Sequence, residues 1–344
     1  MKRLLPALFG LGGLAVIAVL LLNTDAAAIL NLLTSAGWGL LWLVPFHALP
    51  LLLDAEGWRA LLTLRDPQRL ATRPFLFWIA TVREAMNRLL PVASVGGEIV
   101  GIRLVLLRPL SGAAVTASVV VEILLTVVNQ YLFTALGLIL LLVGADDPNL
   151  VWKLLLGLGA TLPGPIILYL LLRYGRIFGR VEQILIGMLG EESRAAALFG
   201  SAGKLDHEIR ALFARNRDLL LGLVWQLAGM ILGAFEVWLA LKLLGHEVSP
   251  AAAIGLESLT LAIRHFAFFV PGGLGVQEAG LVLIGHLIGI DSETSLSLSL
   301  AKRMREVLFG IPALLSWQWV EGRRLHRNTR SETDASVTPP PTDL

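Results

Sequence analysis

Apolar runs about twenty residues long recur through this chain, each long enough for a helix to cross about 30 Å of hydrocarbon. The clearest are Leu4–Leu22, Ala36–Leu53, Gly112–Gly144, Leu150–Leu172, Asp218–Leu244 and Ser295–Val320. Composition agrees: 56% of the 344 residues are hydrophobic and 16% charged, where a soluble domain carries about 25% charge. Too little polar surface remains to cover a water-soluble body. An ordinary soluble enzyme, a nucleic-acid binder and a disordered chain are excluded, and an all-α, polytopic membrane bundle is expected. With no cysteine there is no thiolate nucleophile and no disulfide framework. Lys2 and Arg3 ahead of the first run resemble a signal peptide, but the run is long for one, and a retained helix is expected.

Loop charge orients the spans. With the N-terminus in the cytoplasm, segments 1–3, 55–73, 173–217 and 321–330 face inward and hold 18 of the 28 basic residues. The opposite loops, 23–35, 145–149, 245–250 and 291–294, hold none, and carry Asp25, Asp146, Asp147, Glu247, Asp291 and Glu293 instead. The positive-inside rule then puts both termini in the cytoplasm. Trp38, Trp42, Trp152, Trp238, Trp317 and Trp319 fall near span ends, where an aromatic belt forms. Residues 1–325 are expected to form one integral membrane domain with a cytoplasmic insertion at 173–217. In that insertion Leu205, Ile209, Leu212 and Phe213 recur at helical spacing, either as an interfacial amphipathic helix or as a plain connector. The tail 326–344 is expected to be disordered.

Two further apolar stretches, Phe75–Leu107 and Ala251–Ile290, are interrupted by proline and glycine: Pro91, Gly96 and Gly97 in one, Pro271, Gly272, Gly273 and Gly275 in the other. A constant offset of 180 superposes them, carrying Pro91 to Pro271, Glu98 to Glu278, Trp58 to Trp238 and Glu122 to Lys302. The loop charges make the first stretch enter and leave from inside and the second from outside, which defines an inverted repeat. Inverted repeats around broken helices are a transporter architecture with a site near the midplane.

Charges inside spans are costly and mark functional sites. Ser295, Ser299, Lys302, Arg303, Arg305 and Glu306 share one arc of the last span. These cations either pair with Glu122 in a structural bridge or hold an anionic ligand. Glu98 and Glu278 either cap helix N-termini, serve as counter-ions or carry protons. Arg264 and His265 either pair with Glu257 or Glu278 or contact a headgroup. Arg83 and Arg88 either snorkel inward or belong to the site. The six histidines form no metal-spaced pair, Ser94 lacks a protease setting, and no phosphate or dinucleotide loop is present. No enzyme activity, cofactor or metal is therefore expected.

The segments RHFAFFVPGGLGVQEAG and REAMNRLLPVASVGGE resemble the membrane domain of lysylphosphatidylglycerol synthases and related flippase-like proteins. The resemblance covers residues 1 to about 325 and carries residue roles only for Arg264 and for Pro271 to Glu278. It implies a bacterial inner-membrane protein that moves a lipid between leaflets, with the aminoacyltransferase domain of the synthases absent here. The stand-alone form looks most like hopanoid-biosynthesis-associated members. The expected partner is a membrane lipid, anionic or hopanoid-type. The alternatives are an accessory subunit working with lipid-biosynthesis enzymes, and an intramembrane transferase using Glu98 or Glu278 as base. The orientation has a direct check, since the chain has no native cysteine. Cysteine at Ser249 is expected to react with an impermeant thiol reagent in intact cells and cysteine at Ser201 to stay protected; the reverse pattern would remove the inversion.

Overall fold

The computed structural model describes residues 15–90, 96–143, 148–175, 202–267 and 270–337, and every regular element among them is helical. The helices are α1 (Ala26–Ala36), α2 (Leu43–Leu62), α3 (Arg73–Leu89), α4 (Gly96–Val105), α5 (Gly112–Val143) and α6 (Pro148–Thr161). They continue with α7 (Pro163–Tyr174), α8 (Ala202–Phe213), α9 (Asn216–Leu243), α10 (Pro250–Phe266), α11 (Val276–Leu287) and α12 (Ser292–Val337). Four helical stretches among the described residues are long and apolar enough to cross a membrane: Ala26–Leu62, Gly112–Leu141, Leu155–Tyr174 and Asn216–Leu243. Trp38, Trp42, Trp152 and Trp319 stay exposed, as belt residues must.

Several boundaries differ from the sequence expectation. The span expected from Ala36 starts at Ala26, because the Asp25 carboxylate accepts from the Ala27 and Ala28 N–H groups and caps α1. A 3-10 turn, Gly37–Trp42, links α1 to α2. The tail expected to be disordered is helical as far as Val337, and residues 338–344 lie outside the described ones. Once the packed part of α12 exists, each added residue gains a hydrogen bond without a new nucleation cost. In the insertion, α8 buries Ile209, Leu212 and Phe213 against Ala117, Val121 and Leu124 of α5 and Leu172 of α7. Its apolar face thus covers the bundle rather than lying in lipid. Residues 176–201 and Pro91 are outside the described residues.

The repeat is visible in the element boundaries. α4 and α11 begin at Gly96 and Val276, and α5 and α12 at Gly112 and Ser292, both 180 residues apart. The equivalent helices α2 and α9 pack against each other. A Cβ built on Gly57 would lie 3.2 Å from the Gly222 carbonyl oxygen, and one on Gly229 would lie 3.1 Å from that of Pro50. Contacts that fall in one helix while rising in the other make the pair antiparallel. Equivalent helices meet this way only when a two-fold axis runs across them, so the halves are inverted relative to each other. The cross-contacts obey the same axis. Gly310 of α12 abuts Ala85 and Leu89 of α3, and at the equivalent place Gln130 of α5 meets His265 of α10, ring nitrogen to amide oxygen 2.8 Å.

Each half carries a broken helical hairpin. α4 folds back on α3 so closely that a Cβ on Gly97 would sit 2.4 Å from the Arg83 carbonyl oxygen. α11 folds back on α10 after the 3-10 turn Pro271–Gly273, where Gly272, Gly273 and Gly275 all have positive φ (61°, 61° and 75°). At ten and twelve residues, α4 and α11 are about 15–18 Å long, too short to cross the membrane.

Two substitutions test this packing. A Cβ on Gly137 would lie 1.9 Å from Ser258 Oγ and 3.3 Å from Gly255 Cα. Gly137→Val is expected to lower the detergent melting temperature through overpacking of about 1–3 kcal/mol. Gly273→Leu combines a left-handed backbone, costing about 1–2 kcal/mol, with a Cβ 2.9 Å from Arg264 Nε. It is expected to insert normally and to lose activity; full activity would mean that this backbone conformation is dispensable.

Candidate functional site: a charged intramembrane cavity

In hydrocarbon an exposed backbone carbonyl or an unpaired charge has no water to satisfy it. The break at Pro271–Gly273 creates such carbonyls, and a buried cation answers them. Arg303 of α12 donates from Nη1 to the Gly272 carbonyl at 2.9 Å and to Glu306 at 3.1 Å, and from Nε to Glu278 at 3.2 Å. Glu278 also accepts from Ser299 Oγ at 3.1 Å. In the first half Arg83 donates to Glu98 and, at 3.0 Å, to Glu122, with its guanidinium 4.6 Å from the centre of the Trp58 ring. Asn87 Oδ1 accepts from the Gly97 N–H at 2.9 Å and ties the start of α4 to α3. Glu98 and Glu278 are thus counter-ions to arginines rather than simple N-terminal caps.

The other charges form a chain through the centre. Lys302 Nζ lies 2.6 and 2.9 Å from the two Glu257 oxygens. Arg305 pairs with Glu236 at 3.0 Å and Glu84 at 3.6 Å. His47 sits between Glu84 and Glu236, 2.8 Å from each. Glu306 takes Arg303, Arg88 at 3.3 Å and Arg264 at 3.8 Å. Arg264 donates to Gln277 Oε1 at 3.1 Å. The bridge from Glu122 to Lys302 or Arg303 does not form, because Arg83 occupies Glu122. Arg264 meets Gln277 and Glu306 instead of Glu257 or Glu278.

These groups surround water-sized space. A cavity of about 460 Å³ is lined by Asp54, Arg83, Glu84, Arg88, Glu98, Glu122 and Arg264, among others. A second, of about 240 Å³, is lined by His47, Asp54, Arg88, Glu236, Glu257, Lys302 and Arg305. The two share Leu51, Asp54, Arg88, Thr126, Leu261 and His265 and form one polar chamber. Its walls carry six carboxylates against five Lys and Arg, so the cationic excess read along α12 is cancelled by acids from other helices. Arg88 and Arg264 approach their carboxylates only to 3.3–3.8 Å. Arg88 Nη1 has no hydrogen bond among the described residues, and both side chains reach the chamber. Asp54 faces it with no hydrogen bond or ion pair to a described residue.

The chamber adjoins an apolar groove of about 500 Å³ between α5, α6, α7 and α10. Ile123, Val127, Tyr131, Leu158, Leu168 and Phe266 line it, and Thr126 and His265 border both groove and chamber. Polar space joined to apolar space has the shape of an amphipathic ligand.

Of the residues singled out in sequence, Arg264, His265, Glu98, Glu122, Lys302 and Arg305 line the chamber or its rim, while Glu278 and Arg303 stand behind it as supports for the break. Pro271, Gly272 and Gly273 form the turn itself, and Gly96 and Gly97 open α4. The sequence reading passed over His47, Asp54, Glu84 and Glu236. The available signal was the same one that exposed the cations, an ionisable residue inside an apolar helix.

No curated protein and no solved structure matches the chain. The family described as lysylphosphatidylglycerol synthase TM region matches residues 7–313. A match over most of the length, on a helical membrane bundle, shows that the chain belongs to the lysylphosphatidylglycerol synthase TM region family, a family of membrane domains concerned with lipid.

Proposed function

We propose that this protein moves an amphipathic lipid with an anionic headgroup between the leaflets of a bacterial inner membrane, without chemistry on it. The observation that carries this reading is that the charged chamber and the apolar groove lie side by side, sharing Thr126 and His265 in their walls. The headgroup would occupy the chamber and an acyl or polycyclic hydrocarbon tail the groove. A phosphate would be held by Arg88 and Arg264, whose carboxylate neighbours lie 3.3–3.8 Å away, because bidentate N–H pairs match its geometry. Arg83, Lys302, Arg303 and Arg305 would hold the walls in place. The inverted halves offer equivalent inward- and outward-facing arrangements, which is how alternating access arises in such folds.

The test is reconstitution in phosphatidylcholine vesicles with a fluorescent phosphatidylglycerol, following its transfer by chemical bleaching of the outer leaflet. Wild-type protein is expected to move the probe. Arg88→Gln with Arg264→Gln is expected to slow it by about tenfold or more, the effect of about 1.4 kcal/mol, in protein that still folds because Arg303 continues to neutralise Glu306. Lys302→Met with Glu257→Gln is expected to stay folded and keep most of its rate, since a buried pair can be exchanged for apolar residues of similar volume. Protein that moves no probe, or an arginine double variant as fast as wild type, would overturn this assignment.

A further inference from the structure

His47 lies on α2 where it crosses α9, and it lines the polar chamber. Its Nδ1 is 2.8 Å from Glu236 Oε2 on α9, and its Nε2 is 2.8 Å from Glu84 Oε2 on α3. An ionised carboxylate can only accept, so both contacts are made at once only when both ring nitrogens carry protons. Nε2 has another neighbour, Arg305 Nη1 on α12 at 2.9 Å. Arginine can only donate, so that contact is made when Nε2 is bare. One arrangement therefore accommodates two protonation states, and they differ in the partner of a single atom. Phe309 packs edge-on against the ring at 5.4 Å.

The charged groups around the ring come from every helix packed there. α3 supplies Glu84 and Arg88, α9 Glu236, α10 Glu257, and α12 Lys302, Arg305 and Glu306, with Asp54 further along α2 itself. Arg88 lies 3.5 Å from Glu84, the same carboxylate that faces Nε2. An anion that draws Arg88 toward the chamber leaves Glu84 short of positive charge. A proton on His47 restores it.

We propose that His47 is a proton-binding site that loads together with the anionic headgroup, so that lipid and proton move as a pair. The step is a simple transfer. A proton from chamber water bonds to the Nε2 lone pair, the new N–H donates to Glu84, and Arg305 turns wholly to its carboxylates. Release reverses each change. The choice of ligand rests on the lipid-binding reading above, whereas the proton site rests on the ring geometry. By linkage, a ligand that favours the protonated ring must bind more tightly when the proton is present.

The experiment is ¹⁵N-histidine NMR of the full chain in phosphatidylcholine nanodiscs, with His47→Gln identifying the His47 signals. Between about pH 5 and about pH 9 the ring is expected to pass from doubly to singly protonated. Replacing part of the phosphatidylcholine by phosphatidylglycerol is expected to raise the protonated fraction at fixed pH. Glu84→Gln, which keeps the histidine, is expected to lower it. In vesicles, an imposed pH gradient is expected to drive phosphatidylglycerol movement in wild type and not in His47→Gln. A ring in one protonation state throughout, or one indifferent to both phosphatidylglycerol and Glu84→Gln, would overturn the proton site. So would gradient-driven movement that survives in His47→Gln. Wild-type vesicles that move no lipid would instead overturn the proposed function, and the NMR readings would still decide the histidine.

Discussion

Arg303 reaching the carbonyl of Gly272 is the contact on which the second hairpin depends. A helix broken inside hydrocarbon leaves backbone groups that lipid cannot satisfy. Arg303 supplies donors to that carbonyl and is itself neutralised by Glu278 and Glu306. Glu306 in turn draws in Arg88 from the first half. One break thus recruits a network spanning both repeats. Removing Arg303 would leave Glu278 an uncompensated buried charge, which costs far more than the intact network contributes.

The same network shapes the chamber. Five of its six wall carboxylates are tied to a Lys, an Arg or His47, so its interior is polar without a large excess of either sign. Under the proposed function, such a site would admit an anion without holding it too tightly to release. Arg88 and Arg264 have the slack to reorient toward a ligand, whereas Arg83 is clamped between Glu98 and Glu122 under Trp58. The difference lies in how closely the carboxylates approach each guanidinium, not in residue type.

The repeat explains why the chamber is central. α2 and α9 cross antiparallel near Pro50 and Gly229, both of which line the chamber. A two-fold axis passing close to a cavity makes its two sides equivalent in backbone and different in side chains. Glu122 in one half stands where Lys302 stands in the other, and their partners differ accordingly: Arg83 for the first, Glu257 for the second.

The membrane class, the 180-residue offset, the two glycine-rich breaks and the costly charges on α12 were legible from the chain alone. Each is a local property: hydropathy over a span, backbone freedom at glycine, or charge within an apolar run. The starts of α4 and α11, and of α5 and α12, repeat that offset without gaps. The partners of each charge were not legible. Helical projection places Lys302, Arg303 and Arg305 on one arc, but Glu257, Glu278 and Glu236 approach that arc from three other helices. Nor could projection show that His47 sits between two carboxylates, since Glu84 and Glu236 are 37 and 189 residues away. One-dimensional patterns record which faces are apolar and where charge is costly. Which buried charges neutralise one another is decided only when the helices cross.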